Sequence, residues 1–109
     1  MKLIDKVTEK RLEAFPRFSQ SGMGLDAKAL IRYSMPSQHA VWLVYEGERI
    51  SDDEWLFNVY MTLGGSEWGF STIRLSDIRN LVDVYGNGVE RDVKFKPASI
   101  RRCLRKEAG

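Results

Sequence analysis

The apolar positions of this chain change period along its length. Over residues 3–15, Ile4, Val7, Leu12 and Phe15 fall near one helical face, with Lys6, Glu9, Lys10 and Glu13 elsewhere. This predicts an amphipathic helix that Pro16 stops. Residues 16–26 carry Pro16, Gly22, Gly24 and the polar run Ser19-Gln20-Ser21, which suits a mobile connector. Strand patterns follow. Ala27–Ser34 contains Leu30, Ile31 and Tyr33, and Ala40–Tyr45 is apolar throughout, as expected of an interior strand covered on both faces. Met35-Pro36-Ser37-Gln38-His39 between them reads as a hairpin loop, and the acidic segment Glu46–Glu54, containing Gly47, reads as the next turn.

Trp55–Leu63 alternates best: Trp55, Phe57, Val59, Met61 and Leu63 share one face, and Leu56, Asn58, Tyr60 and Thr62 the other. Gly64-Gly65-Ser66 signals a tight turn into a returning strand, Gly69–Arg74. Ser76 is placed to cap a helix, with Asp77 in its first turn and Ile78, Leu81 and Val82 at helical spacing as far as Val84; Gly86-Asn87-Gly88 ends it. Val93–Phe95 fits a short edge strand. Ser99 caps a last helix with the apolar stripe Ile100, Cys103 and Leu104. The order α-β-β-β-β-α-(β)-α predicts an α+β fold: an antiparallel meander of four to five strands with helices at the N-terminus, after the fourth strand and at the C-terminus.

Length and composition narrow the picture. The 109 residues fit one domain, 1–109, and 43% hydrophobic content is enough for a core. Cys103 is the only cysteine, so no internal disulfide forms. The opening Met1-Lys2-Leu3-Ile4-Asp5-Lys6 lacks an apolar signal core, and no stretch approaches the roughly 18 apolar residues of a spanning helix. A cytoplasmic protein without membrane contact is expected. The net charge of +2 is too small to imply a polyanion partner, and it argues against a DNA mimic. Its distribution is uneven. Residues 46–54 set Glu46, Glu48, Asp52, Asp53 and Glu54 against Arg49 alone, whereas residues 90–107 set seven bases against Glu90, Asp92 and Glu107.

Candidate chemistry is sparse. His39, the only histidine, sits in the hairpin loop without ligand-spaced partners, so a solvent-exposed turn histidine is expected rather than a base or metal ligand. Cys103 has Arg101, Arg102 and Arg105 nearby, which would lower its pKa, but its place on the apolar stripe predicts a buried thiol. Asp52-Asp53-Glu54 lacks a second set of ligands at a recognisable spacing and reads as a solvated turn. Gly64-Gly65-Ser66 and Gly86-Asn87-Gly88 match no phosphate-loop pattern. Glu90-Arg91-Asp92 reads as a local ion-pair and turn motif after Gly88. No catalytic residue, metal or cofactor is expected. For partner binding the candidates are the basic end (Lys94, Lys96, Arg101, Arg102 and Arg105), the acidic turn (Glu48, Asp52 and Asp53), and Trp68, expected to be partly exposed in the Gly65–Gly69 turn.

Three segments together carry a family resemblance: Met1–Phe15, the strand ending Val41-Trp42-Leu43-Val44, and above all Val89-Glu90-Arg91-Asp92-Val93-Lys94-Phe95-Lys96-Pro97. With Ser71-Thr72-Ile73-Arg74-Leu75-Ser76-Asp77-Ile78, they resemble the bacterial domain of unknown function 2958 family, over most of the chain. The family's middle is usually richer in glycine and acidic residues, where this chain has the aromatic strand within Asp52–Leu63. The histidine of the family's final run is Lys94 here, so no role of that histidine carries over. Members lie largely on plasmids, phages and integrated elements, often near antirestriction genes. The resemblance therefore implies an accessory or anti-defence role. Together with the lack of catalytic groups and the small fold, it leads to the expectation of a non-enzymatic protein of a mobile element that blocks a host defence complex, restriction or CRISPR type, through protein contacts. Nucleic-acid binding through the basic end is the alternative, and a monomer and an isologous dimer are both compatible with the sequence.

Overall fold

A computed structural model describes residues 2–108. Its first helix, α1 (Lys6–Ala14), begins with a reciprocal cap: Asp5 Oδ1 accepts from the Thr8 N–H at 2.9 Å, and Thr8 Oγ1 accepts from the Asp5 N–H at 2.8 Å. Of the predicted apolar face, Leu12 is fully buried and Ile4 and Phe15 pack partly buried against the core, but Val7 stands 57% exposed. Buried Thr8 takes the inward position there because it also closes the cap.

The central sheet has five antiparallel strands in the order β5-β4-β3-β2-β6. Strands β2 (Ile31–Met35), β3 (Ala40–Ser51), β4 (Glu54–Thr62) and β5 (Gly69–Arg74) form a meander, and β6 (Glu90–Arg91) adds to the free side of β2. The expected strand Ala27–Ser34 is divided: β1 (Lys28–Ala29) pairs instead with β7 (Ala98–Ser99) in a separate two-stranded ribbon. The turn Pro36–Gln38 leads to His39, exposed and in the left-handed region (φ 52°).

The largest correction falls on Glu46–Glu54. It is not a turn: β3 runs to Ser51, and only Asp52 and Asp53 reverse the chain. A β-bulge at Tyr45 makes this possible, since Val44 pairs with Val59 and Glu46 with Asn58. The extra residue resets the alternation, leaving Glu46 opposite Asn58 and bringing Gly47 against Leu12 of α1 and Phe57. Glu46 is 2% exposed, and neutral donors hold its carboxylate: the Gln20 N–H at 2.5 Å and Asn58 Nδ2 at 2.6 Å. Gln20 in turn donates to the carbonyls of Lys28 (2.9 Å) and Tyr45 (2.7 Å) and accepts the Lys28 N–H at 2.6 Å. The segment read as a mobile connector is thus stitched to the sheet through buried hydrogen bonds.

Helix α2 (Leu75–Arg79) is shorter than the sequence suggests. Its N-cap is Arg74, not Ser76, and the Asp77 carboxylate accepts the Arg74 N–H at 3.0 Å. The chain leaves the helix after Arg79, so Leu81, Val82 and Val84 form no buried helical face. Val93–Phe95 is not a strand either; the edge pairing falls earlier, where Arg91 and Glu90 meet Tyr33 and Ser34. Leu63 lies beyond the end of β4 and is exposed. The last helix, α3 (Ile100–Ala108), matches expectation: Ser99 Oγ accepts the Arg102 N–H at 3.2 Å, and Ile100 and Cys103 are buried.

Two cores result. One places α1 and α2 against Tyr33, Trp42, Val44, Trp55, Phe57 and Val59; the other places α3 against Ala27, Ala29, Val41 and Leu43. The strand apolar on both faces is therefore covered on both, as its sequence requires. No helix of the described residues is long and apolar enough to cross a membrane.

Candidate functional site

Two surface features stand out, and the first lies where a buried helix was expected. After α2 the chain folds into a tight loop closed by a bridge between Val82 and Gly88. Asp83 organises it. Its Oδ1 accepts the N–H groups of Tyr85 and Asn87, each at 2.9 Å, and its Oδ2 accepts the Ser37 hydroxyl at 2.6 Å. The Gly86 N–H closes a turn on the Asp83 carbonyl at 3.0 Å, with Gly86 at φ 82°. Hydrogen bonds led by that from Ser37, then that from the Asn87 N–H, hold the Asp83 carboxyl below its ordinary pKa. This framework carries apolar side chains outward: Leu81 and Val82 are exposed, and Val84 and Tyr85 are 87% and 83% exposed. The periodicity of residues 78–84 concealed this loop. The signal that finds it is Asp83 at the first position of a turn with Gly86 at the fourth.

The second feature is a basic groove of about 620 Å³ between the 92–97 turn and α3. Asp92 forms the turn: its Oδ1 accepts the Lys94 N–H at 3.0 Å and its carbonyl the Phe95 N–H at 3.2 Å. Lys94 and Lys96 line one side, while Arg102 and Lys106, one helical turn apart, line the other. Phe95, Ala98 and Cys103 supply apolar lining. Arg32 also lines the groove, but Glu107 holds its guanidinium at 2.6 and 3.2 Å. The structure thus brings Lys94, Lys96 and Arg102 together and adds Lys106 and Arg32, which sequence reasoning did not single out. Arg101 and Arg105 are exposed but do not line the groove, and Arg101 pairs with Asp26 at 3.3 Å.

The remaining candidates are dispersed. Glu48 is exposed and pairs with Arg17 at 3.4 Å. Asp52 and Asp53 occupy the β3–β4 turn beside a cleft of about 520 Å³ that Glu9, Arg49 and Arg79 also line; Arg49 pairs with Glu9. Trp68 is half-buried and stacks on Tyr60, centroids 5.7 Å apart, next to Phe70, which is exposed on the edge strand β5. Arg91 bonds to Asp5 at 3.1 Å across the fold, and Glu90 is exposed. Burial raises the Cys103 thiol pKa, outweighing nearby Lys106, and its Sγ faces the Ala98 carbonyl at 3.9 Å. Among the described residues no group of three or more His, Cys, Asp or Glu could hold a metal ion.

The fold defines an α+β protein whose five-stranded antiparallel sheet lies between two helices on one face and a C-terminal helix on the other. Its sequence places it more narrowly. The chain belongs to the family described as protein of unknown function DUF2958, whose family model matches residues 3–103. No curated protein matches the chain. No solved structure matches it.

Proposed function

We propose that this chain is a non-enzymatic binding protein that docks on a partner protein through the loop tip around Val84 and Tyr85. The carrying observation is the conjunction of order and apolar exposure. Of eleven exposed large hydrophobic residues among those described, four fall within Leu81–Tyr85. Single exposed apolar side chains are ordinary on a surface, but a contiguous set is favourable to cover. The Asp83 bonds fix the backbone beforehand, so docking loses little loop entropy. Tyr85 has the amphipathic ring typical of interface anchors. The mobile-element setting implied by the sequence resemblance makes a host defence complex, restriction or CRISPR type, the partner.

The test is co-expression with such systems. The wild-type protein should protect an incoming plasmid or phage and co-purify with a subunit of the system it blocks. A Val84→Asp, Tyr85→Ala variant with an unchanged thermal melt should lose both, because truncating an anchor costs about 2 kcal/mol or more, over tenfold in affinity. Absence of protection against every system tested overturns the proposal, as does full protection by the folded variant.

A further inference from the structure

We propose that the groove between the 92–97 turn and α3 binds single-stranded nucleic acid. This goes beyond docking by the loop, and uses none of its residues.

Charge is concentrated there. Five cations and two carboxylates line the groove, a surplus of three, larger than the +2 of the whole chain. The carboxylates are already engaged: Asp92 Oδ1 accepts the Lys94 N–H, and Glu107 pairs with Arg32. Lys94, Lys96, Arg102 and Lys106 make no ion pair among the described residues, so four cations remain for phosphates. Both sides of the groove are held in place. The Asp92 bonds fix the turn, and α3 is anchored by buried Ile100 and Cys103. A preformed site ordering few groups on binding favours a specific ligand over diffuse counter-ions.

Shape and lining select the class of polyanion. A duplex reader of this size needs a helix flank free to enter a groove of DNA about 12 Å wide. Here the Arg102–Lys106 flank of α3 does not stand free but faces the 92–97 turn across the groove. A single strand can run along the recess, phosphates toward the cations, with a base against half-buried Phe95; base–aromatic stacking is how sequence-tolerant single-strand sites gain affinity beyond charge.

The experiment is fluorescence anisotropy with a short labelled oligothymidylate between about 50 and 200 mM salt. Four phosphate contacts predict a log–log salt slope of about −3. Arg102→Ala with Lys106→Ala should lower affinity at least tenfold at the low-salt end and reduce the slope by about half. Arg101→Ala with Arg105→Ala changes the net charge equally outside the groove, and should cost less than about threefold. Phe95→Leu should weaken binding about three- to tenfold with the slope unchanged. The proposal is overturned by absence of binding at the low-salt end, by equal losses in the two double variants, or by equal affinity for a duplex of the same length. It is also overturned if millimolar inorganic phosphate displaces the strand completely, which would mark a simple phosphate site.

Discussion

At Asp83 one carboxylate gathers hydrogen bonds from Ser37, Tyr85 and Asn87, and the conformation of the loop follows from that residue. Asp83→Ala should speed hydrogen exchange at the Tyr85 and Asn87 amides, while the protection of β3 and β4 stays unchanged. The pH dependence has a fixed sign. Because the folded-state pKa lies below the ordinary aspartate value of 3.8, the unfolded loop binds more protons between the two values, and stability rises with pH across that window. The contribution is fully present above the ordinary carboxylate range, and is lost as pH falls through the depressed folded value. Exchange at Tyr85 should therefore be independent of loop opening by Asp83 protonation at neutral pH, and should show it only in strong acid. Cys103 tests the opposite effect. Burial raises its pKa, so a disulfide reagent at neutral pH should react slowly until denaturant opens α3; reaction at the unfolded rate in the native protein would restore the cysteine as a candidate nucleophile.

The elements show where sequence pattern suffices and where side-chain chemistry overrides it. Gly47 sits in β3 where an added Cβ would approach Leu12 Cδ2 to 2.8 Å and Phe57 Cδ1 to 3.2 Å. Gly47→Ala should cost about 1–3 kcal/mol in chemical denaturation, because fully buried Leu12 has little room to move. The sequence marks Gly47 as a turn residue; its actual role is to let α1 approach the sheet. Strand β5 has its predicted bounds, and β4 is displaced by one residue, because alternating side chains and a glycine turn dictate both. The stripe and cap of α3 are equally legible. Errors cluster at residues whose side chains bond to backbone or to distant partners: Glu46 extends a strand through an acidic run, Asp77 moves a cap, and Asp83 and Asp92 make loops of segments with helical or strand patterns. Hydropathy does not record such bonds. The basic half of the groove was visible as a charge run, but its division was not: separating Arg102 and Lys106 from Arg101 and Arg105 depends on which flank of α3 meets the turn.

For the molecule as a whole, the loop tip and the groove share no residue, and their effects should be separable. The Val84→Asp, Tyr85→Ala variant should keep the oligonucleotide salt slope, and the Arg102→Ala, Lys106→Ala variant should still capture the partner protein. Coupled losses in folded variants would show that both surfaces meet one ligand. The ribbon between β1 and β7 has a consequence for synthesis. The Ile100 N–H bonds to the Ala27 carbonyl at 2.9 Å, and α3 alone among the helices covers the face of the sheet bearing Val41 and Leu43. On a ribosome, which releases the chain from its N-terminus, that face lacks its helical cover after every strand of the meander has emerged. A nascent chain halted before residue 98 would offer those side chains to chaperones and to other nascent copies, so packing of that face waits for α3.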